Sequence, residues 1–176
     1  MVAQLPQMWE WAALAQVEQQ AEEAAQLRTA ILLEQGSVGL GDRLRGATGQ
    51  HLRLLTIDGA VLGGTVELAA TDCLVLADGP QRYLVPAGAV ASVQLGEVPA
   101  ALPVRGRERM SVRAVLRGLV DTTVEVLLPG GAEVSGRLCQ AGADHVVMAI
   151  PGGVELVSVA AVRRVQWRDP AIPGPS

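Results

Sequence analysis

The stretch HLRLLTIDGAVLGGTVELAATDCLVL, residues 51–76, returns as TVEVLLPGGAEVSGRLCQAGADHVVM, residues 123–148. Worked outward, the correspondence runs without a gap from Leu40–Gln94 to Val112–Gln166, at a constant offset of about 72 residues. Leu44-Arg45-Gly46 answers to Leu116-Arg117-Gly118, Gly59-Ala60 to Gly131-Ala132, Gly64 to Gly136 and Asp72 to Asp144. Leu84-Val85 answers to Leu156-Val157, Ala89-Val90 to Ala161-Val162, and Val93-Gln94 to Val165-Gln166. About 17 of roughly 55 aligned positions are identical, and they fall on turn glycines, an aspartate and alternating apolar positions. One small fold is therefore expected twice.

Each copy opens with helix-forming residues, around Gly41–Gly46 and Met110–Leu119, and continues into short runs of alternating apolar and β-branched residues bounded by turn signals. In the first copy the pattern predicts strands at 51–57, 61–68, 73–77, 82–85 and 90–94, with the second copy following at the same offset. Asp58-Gly59 and Gly130-Gly131 predict hairpin turns, because glycine enters the positive φ that tight turns require. Gly64 and Gly136 fall inside strands, where they predict bulges or sharp bends that let a small sheet curl. Asp72 and Asp144 read as turn residues that bond their own backbone ahead of the next strand. The fold class expected is mainly β with helices: two tandem five-stranded barrels, each preceded by a short helix, plus a long N-terminal helix.

The chain of 176 residues carries a net charge of −4, and the excess is local. Residues 1–36 hold Glu10, Glu18, Glu22, Glu23 and Glu34 against Arg28 alone, whereas acids and arginines elsewhere cancel. From Met8 to Glu34 there is no Gly or Pro, and Leu14, Val17, Ala21, Ala24 and Ile31 recur at helical spacing, which predicts an amphipathic helix. Pro99 and Pro103 interrupt the join between the copies, where Arg105, Arg107, Arg109, Arg113 and Arg117 form the one basic stretch. The organisation expected is an acidic helical extension at 1–36, a first barrel at 37–95, a linker at 96–109, a second barrel at 110–168 and a disordered Pro/Gly-rich tail at 169–176. Units this small are marginal alone, so the copies are expected to pack on each other or to be completed by other subunits. No charged leader with an apolar run opens the sequence and no apolar stretch approaches membrane-spanning length, so a cytoplasmic location is expected.

The short helix, the five bent strands, the apolar-turn-Gly order of Leu52 to Gly64 and Val124 to Gly136, and the later Asp72-Cys73-Leu74-Val75-Leu76 and Asp144-His145-Val146-Val147-Met148 resemble the Sm-like superfamily. The sequence is also similar to an uncharacterised actinobacterial family of tandem barrels whose members are sometimes labelled Fis-type transcriptional regulators. The C-terminus reads as a strand followed by a Pro-rich tail, without the helix-turn-helix that such a regulator presents. The Sm-like resemblance implies assembly through exposed barrel edges and binding of single-stranded RNA. The family's RNA pocket places a polar residue, often Asn, where Cys73 and His145 stand here. Its basic-Gly motif before the last strand is replaced by Val85-Pro86-Ala87-Gly88-Ala89-Val90 and Val157-Ser158-Val159-Ala160-Ala161-Val162.

His51, His145, Cys73 and Cys139 are the only His and Cys residues, and none forms a CxxC or HxxxH pair that would bring two metal ligands together. The cysteines lie in apolar surroundings that keep a thiol protonated, and the two do not occupy equivalent positions of the repeat. The glycine-rich run from Gly36 to Gly49 lacks the Lys of a phosphate-binding loop. No enzyme, metal, cofactor or small-molecule substrate is expected from these patterns. The function expected is a non-enzymatic assembly or partner-binding module, associating with itself or with another protein and not with a membrane. The alternative is an RNA- or other nucleic-acid-binding regulator that uses Arg105, Arg107, Arg109, Arg113 and Arg117 on phosphates. Tyr83 and Trp167 are the only Tyr or Trp in the repeats, which leaves little surface for base stacking.

Overall fold

The computed structural model describes residues 16, 19–28, 39–97 and 110–169. The chain divides into two compact units, residues 1–38 and 39–176. In the first, residues 19–28 form helix α1, whose exposed surface includes a Gln19 to Glu23 side-chain hydrogen bond of 3.3 Å. The remainder of the amphipathic stretch expected from Met8 to Glu34, apart from Gln16, lies outside the described residues.

Among the described residues the second unit contains two short α-helices, three single-turn 3-10 helices and ten strands. Helix α2 (Leu40–Gly46) precedes β1 (His51–Thr56), β2 (Val61–Ala69), β3 (Cys73–Asp78), β4 (Gln81–Pro86) and β5 (Val90–Gln94). Helix α3 (Val112–Gly118) precedes β6 (Thr123–Leu127), β7 (Glu133–Ala141), β8 (His145–Ile150), β9 (Gly153–Ser158) and β10 (Arg164–Arg168). Ser111 caps α3 by accepting the Ala114 N–H at 3.3 Å, which satisfies one of the amides a helix start leaves unpaired. The β1–β2 turn closes through Gly59 at φ 88°, and the β6–β7 turn through Gly130 and Gly131 at 77° and 81°, a region that excludes most side chains.

All ten strands belong to one open antiparallel sheet in the order β5-β1-β2-β3-β4-β10-β6-β7-β8-β9. This corrects the expected architecture. A five-stranded barrel needs its fourth and fifth strands to pair, but β4 pairs with β10, and among the described residues β5 pairs with β1 alone. Neither half closes on itself, so two five-stranded barrels do not describe this molecule, and of the long N-terminal helix expected only Gln16 and residues 19–28 are among the described residues. The β4–β10 join sets Val165 opposite Leu84, Gln166 opposite Tyr83, Trp167 opposite Arg82 and Arg168 opposite Gln81.

The halves share their pairing register. Leu52 faces Gly64 across β1–β2, and Val124 faces Gly136 across β6–β7. The bulges are not at these glycines but two residues on, between Val66 and Leu68 and between Leu138 and Gln140. The glycines serve close approach instead: a Cβ at Gly64 would stand 2.7 Å from the Ala77 carbonyl oxygen, and one at Gly136 would collide with that of Ala149.

Two apolar clusters form. One lies within the first half and contains Leu44, Leu52, Leu54, Leu74, Leu76 and Val85. The other gathers Val112, Leu116, Val124, Val126, Met148 and Val165 of the second half, and also Cys73, Val75 and Leu84 of the first. Strand β3 is therefore buried on both faces, with Leu74 and Leu76 in one cluster and Cys73 and Val75 in the other. A strand covered on both sides reads as an unbroken apolar run, as Cys73-Leu74-Val75-Leu76 does.

Candidate functional site

The join between β4 and β10 carries the most organised polar group of the sheet. Arg82 of β4 is buried, yet its guanidinium meets Glu67 Oε2 at 2.9 Å and Asp169 Oδ2 at 3.3 Å. It also donates to the carbonyl oxygens of Gly79 at 2.7 Å and Gln81 at 3.1 Å. A guanidinium taken out of water is tolerable only when its donors are matched in this way. Asp169, expected to begin a disordered tail, belongs instead to this clasp, and its N–H donates to the Pro80 carbonyl at 2.8 Å. Sequence reasoning passed over Arg82; its signal was one arginine inside an otherwise apolar strand.

Asp72 is exposed in its turn but reaches beyond its own backbone. Its carboxylate accepts the Val112 N–H at 3.2 and 3.3 Å, so a first-half residue satisfies the first turn of the second-half helix. The corresponding carboxylate of Asp144 lies 2.8 Å from Nδ1 of the adjacent His145, and that imidazole holds it below the usual carboxylate range. The backbones of the two aspartates act alike, Asp72 accepting the Ala87 N–H at 2.7 Å and Asp144 the Val159 N–H at 2.8 Å.

Arg105, Arg107 and Arg109 of the candidate nucleic-acid segment lie outside the described residues. Arg113 and Arg117 are both exposed on α3, and Arg113 donates to the Ala143 carbonyl at 2.9 Å. The Cys73 thiol is pushed up to about 12 by burial, and the Asp72 carboxylate beside it acts in the same direction. A thiol so protonated is a poor nucleophile. Among the described residues no group of three or more His, Cys, Asp or Glu is placed to hold a metal ion, and no helix is long and apolar enough to cross a membrane.

What remains is the sheet's own border. Strand β9 ends the sheet with Val154 at 63 % and Leu156 at 66 % exposure, whereas Leu84, the residue equivalent to Leu156, is fully buried against β10. At the other border β5 pairs, among the described residues, with β1 alone. An edge strand with unpaired backbone amides and exposed large apolar side chains is a template for another strand. No protein-family model matches the chain, and no curated protein matches it.

Proposed function

We propose that this chain is a non-enzymatic assembly module that recruits its partner through the open borders of the ten-stranded sheet. The observation that carries the reading is the apolar side of β9, where Val154 and Leu156 stand in water on a strand that pairs, among the described residues, with β8 alone. Strand addition would pair that backbone and remove the side chains from water, at roughly 25 cal/mol for each Å² of apolar surface covered. The inert Cys73 thiol and the commitment of Arg82 to structural bonds also favour an interaction role over chemistry.

The test is particle mass by light scattering over a concentration series, with single-stranded RNA and duplex DNA titrated into the same samples across salt. A mass above that of one chain, insensitive to nucleic acid, is the expected result. A single chain that retains RNA in a steeply salt-dependent way would transfer the function to the arginine segment.

A further inference from the structure

We infer that the outer face of β1, β2 and β5 carries a binding site for a small aliphatic carboxylate, with the Arg53 guanidinium as its anchor. The site lies on the face of the sheet and not along its border, so the inference goes beyond the assembly reading. Two rows of side chains run across the three strands on this face. Gln94, Arg53 and Gly63 stand opposite one another in the first, and Ser92, Leu55 and Val61 in the second. Between the rows is a groove of about 150 Å³ lined by Arg53, Leu54, Leu55, Val61, Ser92 and Gln94.

The second half shows what this groove lacks. Its equivalent rows are Gln166, Glu125 and Ser135, then Arg164, Leu127 and Glu133. There the charges answer one another, Arg164 lying 4.0 Å from Glu125 and 3.7 Å from Glu133. In the first half the glutamine and the leucine are kept, but Arg53 takes the place of Glu125, and Ser92 and Val61 take those of Arg164 and Glu133. The sign at the centre is reversed, and no counter-charge accompanies it. Strands β1 and β5 contain no acidic residue, and Glu67, the one acid of β2, is held by Arg82 at 2.9 Å. Among the described residues Arg53 makes no salt bridge and no side-chain hydrogen bond. Ser92 also has no long stem to lay over its cross-strand neighbour, and Leu55 is 39 % exposed where Leu127 is 6 %.

The residues that are present select the ligand. A guanidinium offers a planar fork of donors that matches a carboxylate. Gln94, directly opposite Arg53, adds an amide donor, and Ser92 a hydroxyl. On the other flank Gly63 leaves room: the nearest atom to a Cβ placed there is His51 Cε1, at 3.8 Å. Leu55 and Val61 form an apolar shelf beside the cation, Val61 being 51 % exposed. A ligand with an anion at one end and hydrocarbon at the other pairs with Arg53 and takes both side chains out of water. The groove sets its length, since sites for drug-sized ligands run to about 300–1,000 Å³ and this one holds a chain of only a few carbons.

Hexanoate titrated into the isotope-labelled full chain, followed by amide and guanidinium NMR shifts, tests the site. A saturable shift is expected at Arg53, Gly63, Ser92 and Gln94. Acetate, which lacks the tail, should bind more weakly, and hexylammonium should not bind. Arg53→Gln should weaken hexanoate binding by roughly tenfold or more. Arg53→Glu combined with Ser92→Arg installs the ion pair of the second half on exposed positions, and should abolish binding with the remaining spectrum unchanged. Hexanoate shifts that do not saturate, or that persist in both variants, would overturn the site. Phosphate or hexylammonium binding as tightly as hexanoate would overturn the aliphatic carboxylate as its ligand. None of these outcomes turns on particle mass, so the site and the assembly reading fail separately.

Discussion

Strands β4 and β9 occupy the same place in the two halves, carry the same Leu-Val pair and differ in what lies beside them. Strand β4 has β10 on its far side, and Leu84 is removed from water; β9 has nothing among the described residues, and Leu156 is not. Residue identity does not explain the contrast, because both positions hold leucine. Burial at this position is decided by whether another half follows. The cores differ accordingly: the second half's cluster borrows Cys73, Val75 and Leu84 from the first, whereas the described members of the first half's cluster all belong to that half.

The largest effect expected from this contrast is on stability. Leu84→Ala should cost about 2–5 kcal/mol in denaturant unfolding, because it opens a cavity between two packed strands. Leu156→Ala, measured where the chain is single, should change stability by no more than about 0.5 kcal/mol. Equal losses at the two sites would mean that β9 is covered in the single chain. A smaller difference is expected at the aspartates. Asp72→Ala removes the acceptor of the Val112 N–H and should cost about 1 kcal/mol, the usual worth of a helix-start acceptor. Asp144→Ala should leave the single chain's unfolding midpoint in place, since its carboxylate is fully exposed and its hydrogen bond is to the neighbouring imidazole.

The smallest effect is a pH dependence. The folded state holds the Cys73 proton until about pH 12, whereas an unfolded thiol releases it near its ordinary value of 9.0. The unfolded state then binds fewer protons, so this residue's contribution is intact below about pH 9 and is lost as pH rises toward 12. Stability measured between these limits should fall less steeply with pH in Cys73→Ala than in the parent protein. An identical slope would show that the thiol is not shielded as the packing of β3 indicates.

The positions of strands and turns were legible because alternation and glycine act locally. Leu52, Leu54 and Thr56 turn inward at every second residue of β1, and Gly59, Gly130 and Gly131 adopt the positive φ their turns demanded. The closure of the sheet was not legible. Alternation says which face of β4 is apolar, but the hydrogen bonds along its edge leave no mark on side-chain pattern, so β5 and β10 were equally good neighbours. The unbroken apolar run of β3 did carry the clue, since a strand on the wall of a small barrel would be covered on one face only. Asp72 misled for a similar reason: an aspartate ahead of a strand fits a local turn, and its bond to Val112 spans 40 residues of sequence. The arginine segment was legible only as charge, and the described part of it, Arg113 and Arg117, lies exposed on α3, where Arg113 donates to the Ala143 carbonyl.

Strand β10 is the last strand of the sheet in chain order, yet it lies between β4 and β6 in the middle of the sheet. Its contacts with β4, such as Trp167 beside Arg82, join segments far apart in sequence, and contacts of that kind form slowly. Until β10 is in place, β4 and β6 are both unpaired along an edge that the finished molecule keeps covered. On the ribosome that interval lasts until the residues around Trp167 have left the exit tunnel, so the nascent chain passes its most adhesive stage just before its sheet is sealed.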